Sequence, residues 1–150
     1  MKVLTKPYGE IEIEEKQRIS IPRGLFGFEE LHDFALFDAT QEPFYWLQSL
    51  ERIEVAFVLL DPHFFRPDYT PDVDRSELEE IGITSADDML VLSIVTIAGP
   101  APTMTANLQG PVIFNRRTHV ARQSISTNPL WGVRHSIMDE IAQARQGTAC

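Results

Sequence analysis

The sequence contains a single cysteine among its 150 residues, Cys150 at the end of the chain. One cysteine cannot form an internal disulfide or a thiolate metal cage, so an apolar core must hold the fold together. The longest apolar runs, such as residues 55–60 and 89–97, are far shorter than the roughly 20 residues of a membrane helix. The first residues show no apolar signal-peptide stretch, and together these absences predict a cytoplasmic protein.

The chain also lacks the motifs of metal centres and phosphate-binding loops. Its histidines have no second Cys or His at metal-ligand spacing; they are His32, His63, His119 and His135. Asp72 and Asp74 match only the start of a calcium loop, without its Gly and distal Glu. Gly24 and Gly27 lack the third Gly and the Lys of a phosphate loop and indicate turn geometry. We therefore expect no bound metal and no cofactor.

An enzymatic alternative would use Asp61, His63 and Tyr69 as a set of acid and base groups. Pro62 separates the first two residues and favours a turn that ends a strand. The sequence shows no nucleophile elbow, so a protein that is not an enzyme is the favoured interpretation.

Basic residues are scarce, with 13 Lys and Arg against 22 Asp and Glu, for a net charge of −9. Residues 68–88 hold eight acidic residues and one arginine, Arg75, so this stretch alone contributes −7. A surface of this sign repels nucleic acid and anionic membranes and favours a basic partner, although a plain solvated face is the alternative.

Short β-branched and aromatic runs dominate the chain, and turn-forming residues separate them. The expected strands lie at 9–14, 18–21, 34–37, 44–47, 55–60, 90–97, 103–108, 112–114 and 120–125. The expected turns include Gly99-Pro100, Gly110-Pro111 and an exposed hairpin tip at Arg116-Arg117. About nine closely spaced strands predict an all-β fold, a small antiparallel β-barrel-like domain that spans residues 1–150. Runs 55–60 and 90–97 are expected to be covered on both faces.

Helix signals are few and local. Asp74 as a cap, with Gly82 as a stop, predicts a helix of little more than two turns. Ser85 opens a second capped start that the following β-branched run ends within one turn. Val133, Ile137, Ile141 and Ala144 recur at helical spacing, which predicts a helix or tail over 136–150.

Several segments, taken in order, carry a family resemblance. They include Trp46-Leu47-Gln48-Ser49, Phe65-Arg66-Pro67-Asp68-Tyr69 and Thr105-Ala106-Asn107-Leu108-Gln109-Gly110-Pro111. From about residue 9 to 135 the chain resembles the bacterial flagellar assembly factor FliW. It departs from the family pattern at Phe26, where Pro is frequent, and at Gly110, where Ala is usual.

The resemblance implies a cytoplasmic regulator that is not an enzyme and has a small β-barrel-like fold. Members of the family bind flagellin before its export and, when free, bind the RNA-binding regulator CsrA, which represses flagellin translation. Two ligands that compete for one protein make translation respond to the free flagellin pool. The segment after residue 135 lies outside this resemblance.

The acidic stretch and its aromatic neighbours are the candidate partner-binding site. An RNA-binding partner presents Lys and Arg, so acidic side chains would steer it and repel its RNA; the candidates are Asp68, Asp72, Asp74, Glu77 and Glu80. Phe64, Phe65 and Tyr69 are candidate aromatic anchors, with core packing as the alternative for these rings, and Pro67 is a further candidate contact. Asn107 is a further candidate, and buried hydrogen-bonded networks are the alternative for Asn107 and Gln123.

The sequence leaves open an alternative function and the way in which flagellin would bind. A split barrel that binds a small molecule, such as a flavin or nucleotide, is the alternative function, although only Arg116-Arg117 could hold a phosphate. Flagellin could add a strand to a sheet edge or lay a helix into a groove. Trp46 is expected in the core.

Overall fold

The computed structural model describes residues 1–98 and 103–148. Within them the chain forms β1 Lys2–Thr5, β2 Gly9–Glu12, β3 Arg18–Ser20, β4 Asp33–Asp38, β5 Tyr45–Ser49, β6 Ala56–Leu60, α1 Arg75–Glu80, β7 Met89–Ala98, β8 Thr103–Ala106, β9 Val112–Asn115, β10 Ala121–Gln123, β11 His135–Ser136 and α2 Ile137–Thr148. The expected turn at Gly99-Pro100 and Cys150 lie outside the described residues.

Antiparallel pairing joins nine strands into one sheet. Seven of them follow the order β10-β9-β7-β6-β5-β4-β3, and β8 pairs with both β7 and β11. The ten-residue β7 makes this possible, because Met89–Leu92 pairs with β9 and Val95–Ala98 pairs with β8. β1 and β2 form a separate hairpin. The predicted all-β class is confirmed.

The sheet curls until its first and last strands approach each other. Ser20 and Val120 form one isolated bridge there, and the Ser20 amide donates to the His119 carbonyl over 3.0 Å. Among the described residues the sheet is not closed into a barrel, so barrel-like describes its curl and not a continuous ring of paired strands.

Alternation of side chains gives the curled sheet a core on each face. The inner face buries the largest cluster, which includes Phe34, Leu47, Leu59, Leu92 and Phe114. On the outer face, the β1–β2 hairpin covers Ala35 and Phe37 at one end. Residues 61–84 and α2 cover the other end through a cluster that includes Phe65, Tyr69, Trp131 and Ile137. The outer covers therefore place the acidic stretch on the surface beside α2.

The two apolar central strands are covered less completely than the sequence predicts. Thr96 and Ile97 are exposed, and Ala56, Phe57 and Val58 are half-buried. Coverage on both faces is thus wrong for the end of β7. A groove lies on the sheet beside the β1–β2 hairpin, lined in part by Lys6, Trp46, Val58 and Ile97.

The helix signals are confirmed, although α1 has six residues, fewer than two turns, and is shorter than predicted. The Asp74 carboxylate accepts from the Ser76 amide over 3.0 Å, and Gly82 ends the helix with a φ of 76°. Ser85 caps a single 3-10 turn at Ala86–Asp88. The C-terminal helix begins at Ile137, so Val133, which is exposed, lies before the helix and not on it. The short strands β1 and β11 were not predicted, because their few residues carry no clear period.

Candidate protein-interaction surface

The segment from Asp61 to α1 is a loop with a hydrogen-bonded helix cap at each end. Asp61 caps a 3-10 turn at Pro62–Phe64, where its carboxylate accepts from the His63 amide over 2.9 Å. Pro at the first helical position fixes the entry angle of this turn. The loop then crosses the outer face of the sheet to the Asp74 cap, which leaves its polar side chains toward solvent.

Two of the three aromatic rings proposed as partner anchors are buried. Phe65 is 1% exposed and Tyr69 is 2% exposed, both in the outer-face cluster. The Tyr69 hydroxyl donates to the Leu108 carbonyl over 2.9 Å, and burial raises the pKa of this phenol. Buried rings cannot anchor a partner in this conformation, so this part of the predicted site is wrong and core packing is the role that the structure shows. The third proposed anchor, Phe64, is 57% exposed, as contact with a partner requires.

Pro67 and Asp68 are exposed, as the predicted site requires, but the Asp68 charge is compensated. Arg66 donates to both carboxylate oxygens of Asp68, at 2.9 and 3.1 Å. The Arg66 guanidinium holds the pKa of Asp68 below its usual value. Arg66 also reaches Glu140 in α2 at 2.9 Å, so this arginine serves two carboxylates.

Glu77 and Glu80 of α1 are also paired. Arg122 of β10 contacts both carboxylates, and Arg23 contacts Glu80. The hydrogen bond from Arg23 holds the pKa of Glu80 below its usual value, and Arg122 adds to the effect. The Arg122 side chain is only 15% exposed, and its ion pairs join α1 to the sheet. These two glutamates contribute less net negative field than the sequence predicts.

Asp72 and Asp74 carry the uncompensated charge of the predicted site. Both are exposed, and within the described residues neither lies within ion-pair distance of a cationic group. Hydrogen bonds from Thr70 and Asn128 lower the pKa of Asp72, and the Ser76 amide lowers that of Asp74. Both carboxyls are therefore ionised at neutral pH.

Asn107 belongs to a hydrogen-bonded network that joins three loops. Its side-chain oxygen accepts from the Gly110 amide over 2.8 Å. Gln123 donates to the Gly110 carbonyl and accepts from the Phe26 amide, each over 2.9 Å. Because Asn107 is half-buried and already engaged, the structure favours the network role that the sequence left open for both amides.

Asp61, His63 and Tyr69 do come together, but not as a catalytic set. The His63 ring lies 2.9 Å from the Asp61 carboxylate, and its other nitrogen donates to the Tyr69 backbone carbonyl over 2.9 Å. The Tyr69 hydroxyl is held by Leu108 instead, so it has no free proton to offer at this position. These hydrogen bonds stabilise the conformation of the loop between Asp61 and Tyr69.

Sequence reasoning missed three exposed apolar residues outside the predicted site. Phe26, Ile125 and Leu130 are 51%, 57% and 66% exposed. An apolar residue on a short loop cannot be told from a core residue by sequence pattern alone, since most apolar residues at strand ends are buried. Ile125 in particular continues the alternation of β10, but the strand ends at Gln123.

Two further predictions, for Arg116-Arg117 and for Trp46, can be compared with the structure. Arg116 and Arg117 are exposed at a hairpin tip, as predicted. Trp46 is half-buried, not fully in the core, and its indole donates to the Tyr8 hydroxyl over 3.1 Å. In the part of the chain that is described, no cluster of three or more His, Cys, Asp or Glu is arranged to hold a metal ion. No helix there has the length and apolarity needed to span a membrane.

The fold and this surface define a class of protein. It is an all-β domain in which arginines pair with Glu77 and Glu80 of α1, while the nearby Asp72 and Asp74, the acidic pair, have no cationic partner among the described residues. The sequence model of the FliW protein family matches residues 2–137. The flagellar assembly factor FliW of Treponema denticola is 42% identical over 144 residues, which cover 96% of this chain and 98% of that protein. That of Treponema pallidum is 42% identical over 150 residues, covering all of both chains.

A solved structure agrees with these relatives. A crystal structure of the flagellar assembly factor FliW matches with a TM-score of 0.83 and 36% identity, covering 91% of this chain and 96% of that one. The chain belongs to the FliW family.

Proposed function

We propose that this protein is a cytoplasmic flagellar assembly factor, not an enzyme, that binds flagellin and the RNA-binding translational regulator CsrA as alternative partners. Free flagellin occupies the protein before export. When flagellin leaves the cell, the freed protein captures the regulator and relieves repression of flagellin synthesis. Mutually exclusive binding of two ligands couples their free concentrations without any chemical step.

The observation that carries the proposal is family membership over nearly the whole chain, joined to the exposed pair Asp72 and Asp74. A protein that reads RNA presents cations to phosphates, and an antagonist of the opposite sign attracts it. Charges that lie within a Debye length of about 8 Å act together and raise the association rate more than they slow dissociation. Asp68, Glu77 and Glu80 contribute less because arginines neutralise them.

Competition between purified partners tests the proposed function directly. We expect the protein to bind purified CsrA, and excess purified flagellin to displace it, as followed by size-exclusion chromatography and surface plasmon resonance. Failure to bind either protein, or simultaneous binding of both without mutual weakening, would contradict the proposal.

The role of the acidic pair has its own test, the double variant Asp72→Asn and Asp74→Asn. Asparagine can accept the same hydrogen bonds and caps a helix about as well as aspartate, so stability should change little. We expect slower association with CsrA at low salt, by roughly threefold to tenfold, and a shallower dependence on salt.

The matched control removes two exposed carboxylates outside the acidic stretch, Glu10→Gln and Asp38→Asn. It changes the net charge equally. If both double variants slow association to the same extent, total charge steers the partner and the acidic pair has no special role.

A further inference from the structure

Three exposed apolar side chains lie on loops that are bonded to one another. Phe26, Ile125 and Leu130, which we call the apolar ridge, are each more than half exposed. Exposed apolar residues that occur singly need no explanation, whereas a contiguous exposed apolar patch marks an interaction site.

Hydrogen bonds place the ridge along residues 123–130. The Phe26 amide donates to the Gln123 side chain over 2.9 Å, two residues before Ile125. The Ser126 amide donates to the Gln109 carbonyl over 2.7 Å, immediately after Ile125. The Leu130 amide donates to the Asn128 side chain over 2.9 Å. The backbone amide of each ridge residue, or of the residue after it, is thus hydrogen-bonded, which fixes the backbone at each ridge position before a partner arrives.

The acidic pair adjoins this ridge. The Asp72 carbonyl accepts from both the amide and the hydroxyl of Thr127, each over 2.9 Å. The Asp72 carboxylate accepts from the Asn128 side chain over 2.9 Å. Asp72 therefore contacts Thr127 and Asn128, which separate Ile125 from Leu130 in the sequence, and Asp74 follows two residues later.

The nearby cations leave this surface negative. Arg23, Arg75 and Arg122 lie near the ridge and the acidic pair in the sequence, and each is paired with a glutamate of α1. Arg134, four residues after Leu130, is exposed and offsets at most one of the two uncompensated carboxylates. A nucleic acid or an acidic peptide would meet uncompensated carboxylates here. A polypeptide that offers apolar side chains flanked by Lys or Arg would gain both burial and charge pairing.

We propose that the apolar ridge, with Asp72 and Asp74 beside it, is the docking surface for the basic regulator, and that its apolar residues hold the complex that the acids attract. This inference rests on the proposed function. It assigns separate tasks to the two kinds of residue: carboxylates set the association rate, and ridge residues set the dissociation rate.

Serine substitutions on the ridge test the proposal. In Phe26→Ser, Ile125→Ser and Leu130→Ser we expect dissociation of purified CsrA to accelerate and the Kd to rise about tenfold or more for at least one residue, with association nearly unchanged. Urea unfolding and circular dichroism verify that each variant is folded. Because the side chains are exposed, folding should be retained.

The control variants are Leu4→Ser and Ile53→Ser. These residues are 60% and 47% exposed and line a common surface near the N-terminal hairpin. They lose similar apolar area outside the ridge, and we expect binding of CsrA within twofold of the unchanged protein.

The possible results are distinguishable. If the unchanged protein does not bind CsrA, the proposed function fails and this inference fails with it. If CsrA binds and the ridge variants bind it as tightly as the controls, only the inference is overturned. Loss of flagellin binding alone would assign the ridge to flagellin, and a change in molecular mass by light scattering would assign it to a second copy of this chain; either result overturns the assignment to the regulator.

Discussion

Whether a tyrosine ring can be buried depends on whether its hydroxyl group finds a hydrogen-bond partner. Tyr69 follows a Pro-Asp turn, a context typical of surface loops, and yet it is 2% exposed. The Leu108 carbonyl lies 39 residues away in sequence and accepts its hydroxyl proton. A buried phenol without such a partner would cost the desolvation of its hydroxyl, so this one distant contact decides the environment of the ring.

Two glycines with similar backbone angles give a matched test at the residue scale. Gly9 and Gly24 have φ of 67° and 68°, a region that L-residues rarely adopt. A Cβ at Gly24 would lie 2.5 Å from the Glu29 Cα, whereas a Cβ at Gly9 would meet nothing within 4 Å. We expect Gly9→Ala to cost about 1 kcal/mol of unfolding free energy from strain, and Gly24→Ala to cost clearly more, by about 1–3 kcal/mol.

Urea denaturation of both variants measures the difference. Equal losses of stability would show that the turn at Gly24 relaxes to admit the methyl group.

At the scale of elements, the C-terminal helix is held by both packing and charge. Ile137 is buried and Ile141 packs against the same cluster. The Glu140 carboxylate bridges His135 at 2.6 Å and Arg66 at 2.9 Å, and Arg66 lies 4.8 Å from the centre of the Trp131 ring. The histidine accepts from the Gly132 amide over 2.8 Å through its other nitrogen, which places its proton on the nitrogen that faces Glu140.

Removal of this carboxylate should loosen α2. Glu140 is 12% exposed, and Glu140→Ala leaves Arg66 and His135 without their shared partner. We expect a loss of about 1–2 kcal/mol in unfolding free energy and faster hydrogen exchange of the α2 amides. Asp139→Ala is the control, because Asp139 is exposed in the same turn. Indistinguishable exchange in the two variants would mean that apolar packing alone holds the helix.

The elements differ in how far local sequence defines them. Asp74, Ser76 and Gly82 determine where α1 begins and ends, because a cap and a left-handed stop act within a few residues. β11 has two residues and exists because β8 lies beside it. No local signal could have predicted that pairing.

At the scale of the whole molecule, the lowered carboxyl pKa values predict a direction for acid stability. Asp68, Asp72, Asp74 and Glu80 have pKa values below their usual 3.8 and 4.5. Their ionised forms are favoured in the folded state, so the stabilisation is present above the unfolded pKa and is lost as pH falls through the folded value. Stability should hold from neutral pH to about 5 and decrease below about 4.5.

Urea unfolding at pH 7, 5, 4 and 3 measures this profile, and the variant with Asp72→Asn and Asp74→Asn should lose less on acidification. A midpoint that stays constant from pH 5 to 3 would contradict the expected linkage.

The sequence by itself determined the strand-forming runs, the caps of α1 and the total charge, because period, capping and composition act over a few residues. Only the tertiary structure decided which charges remain unpaired and which apolar residues stay exposed. Arg23 meets Glu80 across 57 residues and Arg122 meets Glu77 across 45, while Asp72 and Asp74 meet no cation among the described residues. Such pairings depend on how the sheet curls and what packs over it, and the free energy of each surface charge and exposed ring is set by those distant neighbours.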